Sequence, residues 1–321
     1  MAATAVVVAL GALTGCSEDP GSEVGDLVQA DAAAVTGLEA DVRLPVGVLH
    51  LKATAALTSV PATDALDLDD DLVATDDLRY LGVAWELGDE ATVPPPAGPL
   101  LAGSNPVATL SLVDGDQRYD LGKIRQADAV FIAVPAALPA DGHLEVLYDG
   151  VVQQVALDDL TVDPGAASAL YDDAPAETPE QDCAVRRPEP GVSLDHVCGA
   201  LLVAMPYVPD AGWAPAGTIW AAVRLETRLL GATVGRHADA ATYVATGGEV
   251  TATLAGQAPT AAIAAPASDP GDTGAWLVWP MPEGAADLVI SGRYPAERTA
   301  GSTTQPATRE FTTSRVIKLP R

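Results

Sequence analysis

Residues 144–157, LEVLYDGVVQQVAL, contain two apolar runs on either side of Asp149-Gly150. Alternation with a period of two places the apolar side chains on one face of a strand. An Asp-Gly pair supplies the positive φ angles that a type I′ turn requires, and such turns match the twist of paired strands. The stretch therefore predicts a β-hairpin with one buried face, and it indicates an antiparallel all-β fold.

Similar patterns occur upstream and downstream of this hairpin. Asp114-Gly115 separates two short alternating runs and predicts a second hairpin, and residues 129–134 predict an apolar strand that stops at Pro135. Residues 220–230 alternate between apolar and charged side chains, which predicts a strand with one face in the core. The residues expected on its inward face are Ala221, Val223, Leu225, Thr227 and Leu229.

The second half of the chain repeats the order of landmarks of the first half. A strand ending in Val208-Pro209 corresponds to one ending in Val60-Pro61, and the strand ending at Pro280 corresponds to the one ending at Pro135. Gly247-Gly248 stands where the first half has Asp114-Gly115, so it predicts another hairpin. Landmarks in one order at nearly constant spacing predict two copies of one β-domain, and short strands separated by turn signals favour sandwiches.

Composition agrees with a globular body and excludes one class of partner. The chain has 321 residues, enough for two domains of ordinary size. Apolar residues make up 48% of it and aromatic residues only 4%, so aliphatic cores are expected. The net charge is −27, from 44 acidic and 17 basic residues. Such a charge repels phosphate backbones, which excludes nucleic acid as a partner.

The N-terminus has the pattern of an export signal. The apolar run at residues 5–12 is followed by Leu13-Thr14-Gly15-Cys16, which is similar to a bacterial lipobox. In such signals the cysteine is lipidated and becomes the mature N-terminus, so Cys16 is the predicted lipidation site. Two alternatives stay open: a signal that is cleaved without lipidation, and a buried N-terminal element in which Cys16 is a core thiol.

These patterns predict five segments. Residues 1–15 are a lipoprotein signal peptide, and residues 16–40 are a lipidated N-terminus and flexible tether, because they are acidic and lack a persistent period. Residues 41–162 are the first β-sandwich domain. Residues 163–194 are a linker rich in proline and acidic residues, and residues 195–321 are the second β-sandwich domain.

Two of the three cysteines are expected to pair. If Cys16 carries lipid, Cys183 and Cys198 are left as an even pair in an oxidising compartment, which predicts a disulfide. A metal site is the alternative, because His196 and Cys198 lie two residues apart on one strand face and Cys183 could be a third ligand.

The acidic run at residues 64–77 offers a second weak metal candidate. Carboxylates such as Asp69 and Asp71 are ligands that calcium prefers, but the run lacks the order of an EF-hand loop. A solvated loop is the favoured interpretation. Neither metal interpretation is adopted, and no cofactor is predicted.

No catalytic pattern emerges from the sequence. A Gly-x-Ser-x-Gly elbow does not occur, and the four histidines lie in unrelated contexts. Trp276 and Trp279 are separated by an odd number of residues, so they point to opposite faces of one strand. One of them could be an exposed contact residue or lie between domains, although an outer face covered by the neighbouring domain or a loop is the favoured interpretation. Trp279 with Arg293 is the candidate binding pair, because aromatic anchors concentrate binding energy at interfaces.

Taken together, the chain resembles actinobacterial cell-surface lipoproteins with immunoglobulin-like or telokin-like β-sandwich domains. The resemblance rests on the lipobox residues, the strand at residues 80–87, the valine strand ending at Pro135 and the hairpin across Asp149-Gly150. It implies a location at the extracytoplasmic face of the cell membrane, attached through an N-terminal lipid. The expected function is a non-enzymatic module that binds an extracytoplasmic protein or envelope component. A metal- or small-ligand-binding lipoprotein and an envelope hydrolase are the second and third alternatives.

Overall fold

The protein is built almost entirely of antiparallel β-sheet, which confirms the predicted all-β fold class. The structure is a computed structural model that describes residues 23–66, 68–90, 92, 98–101, 106–137, 142–172, 179–265, 272–281 and 286–319. The strands of the first half are β1 (Leu27–Gln29), β2 (Leu38–Leu44), β3 (Gly47–Ala53), β4 (Ser59–Val60), β5 (Leu72–Val73), β6 (Leu78–Leu87), β7 (Ala108–Asp114), β8 (Gln117–Ile124), β9 (Asp128–Pro135), β10 (His143–Tyr148), β11 (Val151–Ala156) and β12 (Val162–Asp163).

The first half is a sandwich of two five-stranded sheets. One sheet has the strand order β1-β9-β6-β3-β2 and the other has the order β12-β11-β10-β7-β8. The inward faces of both sheets meet in an apolar core, as the alternating patterns require. Trp85 and Tyr148 are the largest aromatic residues that the strands themselves supply to this core.

The two predicted hairpins of the first half are present. Strands β10 and β11 are joined by Asp149 and Gly150, whose φ angles are 46° and 79°, so the predicted turn is confirmed. The β7–β8 turn lies one residue later than predicted. Asp114 pairs with Gln117 inside the ladder, and of the two turn residues, Gly115 and Asp116, only Gly115 has a positive φ, at 56°.

Much of the predicted tether belongs to the sandwich. Strand β1 pairs with β9, with Val28 opposite Phe131, and Val28, Ala30 and Val35 are buried. They cover the outer face of the first sheet, where Tyr80 is also buried. A three-residue strand is too short to show an alternating period, which is why the sequence pattern did not indicate it.

The predicted linker is also largely structured. Residues Gly165–Leu170 form a short 3₁₀ helix on β11, with Ala167 and Leu170 buried. The Tyr171 hydroxyl donates to Gln153 Oε1 at 2.7 Å, and the Arg43 guanidinium donates to the Leu170 carbonyl at 2.9 Å. Pro164 follows β12 directly and precedes the 3₁₀ helix, so a proline here does not prevent the chain from packing.

The second half contains one nine-stranded sheet and a separate two-stranded hairpin. The long strands β17 and β22 each pair with different neighbours along their length, so the sheet bends into two layers that enclose apolar clusters. The strands are β13 (Gln181–Asp182), β14 (Val192–Met205), β15 (Tyr207–Val208), β16 (Gly212–Trp213), β17 (Trp220–Val234), β18 (Ala241–Ala245), β19 (Glu249–Leu254), β20 (Ala261–Ala265), β21 (Asp272–Pro280), β22 (Ala286–Gly301) and β23 (Thr308–Leu319).

Part of the first sheet recurs in the second half. The order β9-β6-β3-β2 corresponds to β21-β17-β14-β13. The predicted hairpin at Gly247-Gly248 is wrong, because β18 and β19 do not pair with each other and both pair along β22. Neither glycine adopts the positive φ that a type I′ turn needs. The Thr246 amide instead donates to the Pro295 carbonyl of β22 at 2.8 Å.

Each half contributes side chains to a core of the other half. Tyr207 of β15 is fully buried in the core of the first sandwich and contacts Tyr148 edge-to-face, at 5.4 Å between ring centroids. The Trp213 indole donates to the Tyr148 carbonyl at 3.1 Å. In the other direction, Leu100 of a one-turn helix (Gly98–Leu101) packs on the outer face of the nine-stranded sheet, beside Trp220.

Candidate functional site

An open cleft lies where β14 begins and β17 ends, and its volume is about 540 Å³. One wall is the loop that leads into β14, and the other is the end of β17 with the turn that follows. Both walls adjoin β14 and β17, which pair with each other in the nine-stranded sheet, so ladder hydrogen bonds hold the backbone beneath the cleft. The lining residues are Arg187, Pro188, Glu189, Pro190, Gly191, Val192, Ser193, Thr233, Gly235 and Arg236.

The cleft has a local excess of positive charge. Arg187 and Arg236 are both exposed, and neither forms an ion pair with any residue in the described part of the chain. Glu189 is the one acidic residue of the lining, and it pairs with Arg309 of β23 across a distance of 2.5 Å. The Glu189 carboxylate is therefore already occupied, which leaves two guanidinium groups available to a ligand.

A backbone hydrogen bond between two glycines joins the two walls of the cleft. The Gly235 amide donates to the Gly191 carbonyl at 2.9 Å, and both residues have positive φ angles, of 87° and 80°. A Cβ atom at position 235 would lie 2.5 Å from the Asp239 carbonyl oxygen, so a larger residue cannot fit without moving the turn. The path of the backbone at this end of the sheet therefore requires glycine at position 235.

A buried polar cluster lies deeper in the same half of the chain. His196 Nδ1 accepts from the Val185 amide at 3.0 Å, so the proton of the neutral ring resides on Nε2. Nε2 lies 2.8 Å from Thr227 Oγ1 and 3.2 Å from Tyr294 Oη, and these two hydroxyls are 2.7 Å apart. Burial lowers the pKa of His196, and nearby Asp182 only partly opposes that shift.

The contacts of this cluster argue against His196 as a metal ligand. Both ring nitrogens of His196 already have partners inside the protein, and Cys183 and Cys198 form a disulfide, so none of the three is available as a ligand. Sequence reasoning missed the cluster. The signal for it in the sequence is Thr227 on the otherwise apolar inward face of β17, because a buried hydroxyl requires a partner.

The structure does not bring the carboxylates of the acidic run together as a calcium site either. Asp71 accepts a hydrogen bond from the Ala62 amide at 2.8 Å, and Asp69 is exposed. No group of three or more His, Cys, Asp or Glu side chains is arranged to hold a metal ion anywhere in the described ranges. Asp67, another member of the acidic run, lies outside those ranges.

The disulfide is confirmed. Cys183 and Cys198 are bonded, with their Cα atoms 4.9 Å apart, and the Cys183 amide donates to the Cys198 carbonyl at 3.1 Å. The bond attaches the segment after β13 to the middle of β14. Closing a loop of this size stabilises the fold by about 3 kcal/mol in the chain-entropy model.

The predicted contact pair is wrong, since Trp279 is not exposed. Trp276 and Trp279 point to opposite faces of β21, as expected, but both faces are covered and the side chains are buried. The Trp279 indole donates to the Gln257 carbonyl at 3.0 Å, so its polar atom is satisfied inside the core. Arg293 is exposed on β22 and pairs with Glu310 at 3.0 Å.

The predicted lipidation site and signal peptide lie outside the described residues. Where the structure is described, no helix is long and apolar enough to cross a membrane. Comparison of the chain with protein-family models, with curated proteins and with solved structures returns no match.

Proposed function

We propose that this protein is a non-enzymatic binding module on the extracytoplasmic face of the cell membrane, held there by a lipid on Cys16. Its partner is an extracytoplasmic protein or a component of the cell envelope. The observation that carries this proposal is the disulfide between Cys183 and Cys198. Structural disulfides form in oxidising compartments, outside the cytoplasm.

The cysteine inventory supports the location. The chain has three cysteines, and two of them are joined to each other in the second half of the chain. Cys16 remains, directly after Leu-Thr-Gly and an apolar run. A thiol at that position is the acceptor that a lipid-transfer step needs, and a body stabilised by a disulfide suits an exported protein.

The charge of the protein favours a lipid over an electrostatic anchor. With a net charge of −27, the body is repelled by anionic headgroups. Association with a membrane then depends on a buried acyl chain, and more than one chain is needed for stable anchoring.

The test is metabolic labelling with an alkyne analogue of palmitate in a bacterium that processes lipoproteins. We expect the wild-type chain to be labelled and Cys16→Ser to lose the label. The double variant Cys183→Ser/Cys198→Ser is the matched control and should keep the label, because only Cys16 is expected to carry the lipid. An unlabelled wild-type protein whose mature N-terminus is an unmodified Met1 would contradict the proposal.

A small-ligand-binding lipoprotein is the second candidate function, and the cleft favours it. Its volume of about 540 Å³ falls within the range of small-molecule sites, about 300–1,000 Å³. Metal binding receives no such support from the described residues, because the candidate ligands there are bonded to other groups or lie apart.

A further inference from the structure

We propose that the cleft between Arg187 and Arg236 binds a small ligand that carries a phosphate or carboxylate group on a hydroxylated framework, such as a polyol or a sugar. This inference rests on the proposed function as a binding module and names the class of ligand for the cleft.

The charge distribution is the first argument. The chain carries 44 acidic and 17 basic residues, so an exposed arginine has many potential acidic partners. Arg224 pairs with Glu226, and Arg293 pairs with Glu310, in this same half of the chain. Arg187 and Arg236 line one cleft without forming an ion pair with any described residue. Two free guanidinium groups in an acidic protein make this cleft attractive to anions.

The chemistry of the guanidinium group determines what the anion is. Its planar set of N–H donors matches the oxygens of carboxylates and phosphates, which it binds in a bidentate manner. The Glu189 carboxylate would repel such a group, but it is paired with Arg309 and so is largely neutralised. The cleft is therefore suited to oxyanions.

The floor of the cleft provides the recognition of hydroxyl groups. Ser193 of β14 and Thr233 of β17 are directly opposite each other in the ladder, and both are exposed on the outer face of the sheet. Val192 and Val234 beside them are buried, which fixes the orientation of the two strands. Two hydroxyls on a rigid base can donate to and accept from a polyol, whereas an apolar ligand would leave them unsatisfied.

The test is calorimetric titration of the full-length protein with sn-glycerol 3-phosphate and with D-glucuronate. Glycerol and glucose are the matched neutral probes. We expect at least one of the two anions to bind, with an affinity that falls as salt is added, and the neutral probes to bind at least tenfold more weakly. The anion that binds more tightly identifies whether phosphate or carboxylate is the preferred group.

Variants distinguish binding in the cleft from non-specific attraction of the anion to exposed arginines. Arg187→Gln and Arg236→Gln should each weaken anion binding by about tenfold or more, as expected for the loss of a charge-assisted hydrogen bond. Arg125→Gln removes an exposed arginine of the first half that does not line the cleft, and it should leave binding unchanged. Circular dichroism of each variant establishes that it is folded.

Three results would overturn the ligand assignment: no binding of either anion, equal binding of the neutral probes, or wild-type affinity in the Arg187→Gln/Arg236→Gln double variant. These results leave the proposed function open to its own test. A chain that is labelled with lipid at Cys16 but binds neither anion loses only the ligand assignment, whereas an unlabelled chain that binds an anion loses only the membrane location.

Discussion

At the scale of single residues, His196 shows how a buried polar side chain is accommodated. On β14 it lies between Leu194 and Cys198, which belong to different apolar clusters, and it bonds to Val185, Thr227 and Tyr294. Tyr294 is close to this group because Gly292 has no side chain, since a Cβ atom there would lie 2.6 Å from the tyrosine ring. The cluster thus depends on a glycine that lies outside it.

The lowered pKa of His196 makes a prediction about stability and pH. The folded state holds the neutral ring, whereas the unfolded chain takes up a proton below about pH 6.5. The unfolded state then binds more protons, so the free energy of unfolding should fall as the pH is lowered from 7 to 5. At pH 7 and above this term is absent.

Urea titrations of the wild type and His196→Gln at several pH values would measure this effect. Glutamine does not titrate, so the difference in unfolding free energy between the two proteins should shrink as the pH falls. His143→Gln, on β10 of the first half, serves as a control for a histidine outside this cluster. A difference that stays constant between pH 7 and pH 5 would show that His196 does not titrate differently in the two states.

The sequence predicted some of these residues well and misjudged others. The alternation at residues 220–230 correctly placed Thr227 on the inward face, because that pattern is local. The strand face that His196 shares with Cys198 makes it a candidate metal ligand in the sequence. Its actual partner Tyr294 is 98 residues away, and no spacing rule connects positions so far apart.

At the scale of elements, local turns were predictable and long-range pairings were not. Asp149-Gly150 determines its own turn, since both residues adopt the required positive φ angles. Gly247-Gly248 is also a turn signal between two alternating runs, but the strands on either side of it pair with β22, which lies further along the chain. The candidate cleft was equally hidden from sequence analysis, because its two walls come from separate strands.

The hairpin of β15 and β16 offers a prediction at this scale. Tyr207 is fully buried in the core of the other half, and its hydroxyl lies near Tyr148 and Asp149 without a well-formed hydrogen bond to any described residue. Tyr207→Ala should lower the free energy of unfolding by about 3 kcal/mol or more, because it leaves a large cavity. Tyr207→Phe keeps the ring and removes an unsatisfied hydroxyl, so it should be neutral or stabilising.

Chemical denaturation of both variants would check this pair of expectations. Val316→Ala, at a residue that is 53% exposed, is a control for the loss of a side chain outside a core and should change stability by about 0.5 kcal/mol or less. Equal losses in the Phe and Ala variants would mean that the hydroxyl, and not the ring, is what stabilises the hairpin.

At the scale of the whole molecule, the two halves are predicted to unfold together. Tyr207 enters the first sandwich, and Leu100 packs on the sheet of the second half. Unfolding either half alone would expose these side chains and lose their burial, at about 25 cal/mol for each Å² of apolar surface. We expect differential scanning calorimetry to give a single transition with equal calorimetric and van't Hoff enthalpies. Two resolved transitions would contradict this expectation.

The pairing of β1 with β9 has a consequence for how far the protein can extend from the membrane. If Cys16 carries the lipid, only residues 17–26 separate it from the first strand. A fully extended chain of that length spans at most about 35 Å. With a lipid on Cys16, this tether would be shorter than the predicted one of 25 residues, and the first sandwich would be confined to a layer next to the bilayer. A partner of the anchored protein would then have to enter that layer, which would favour components that are themselves near the membrane surface.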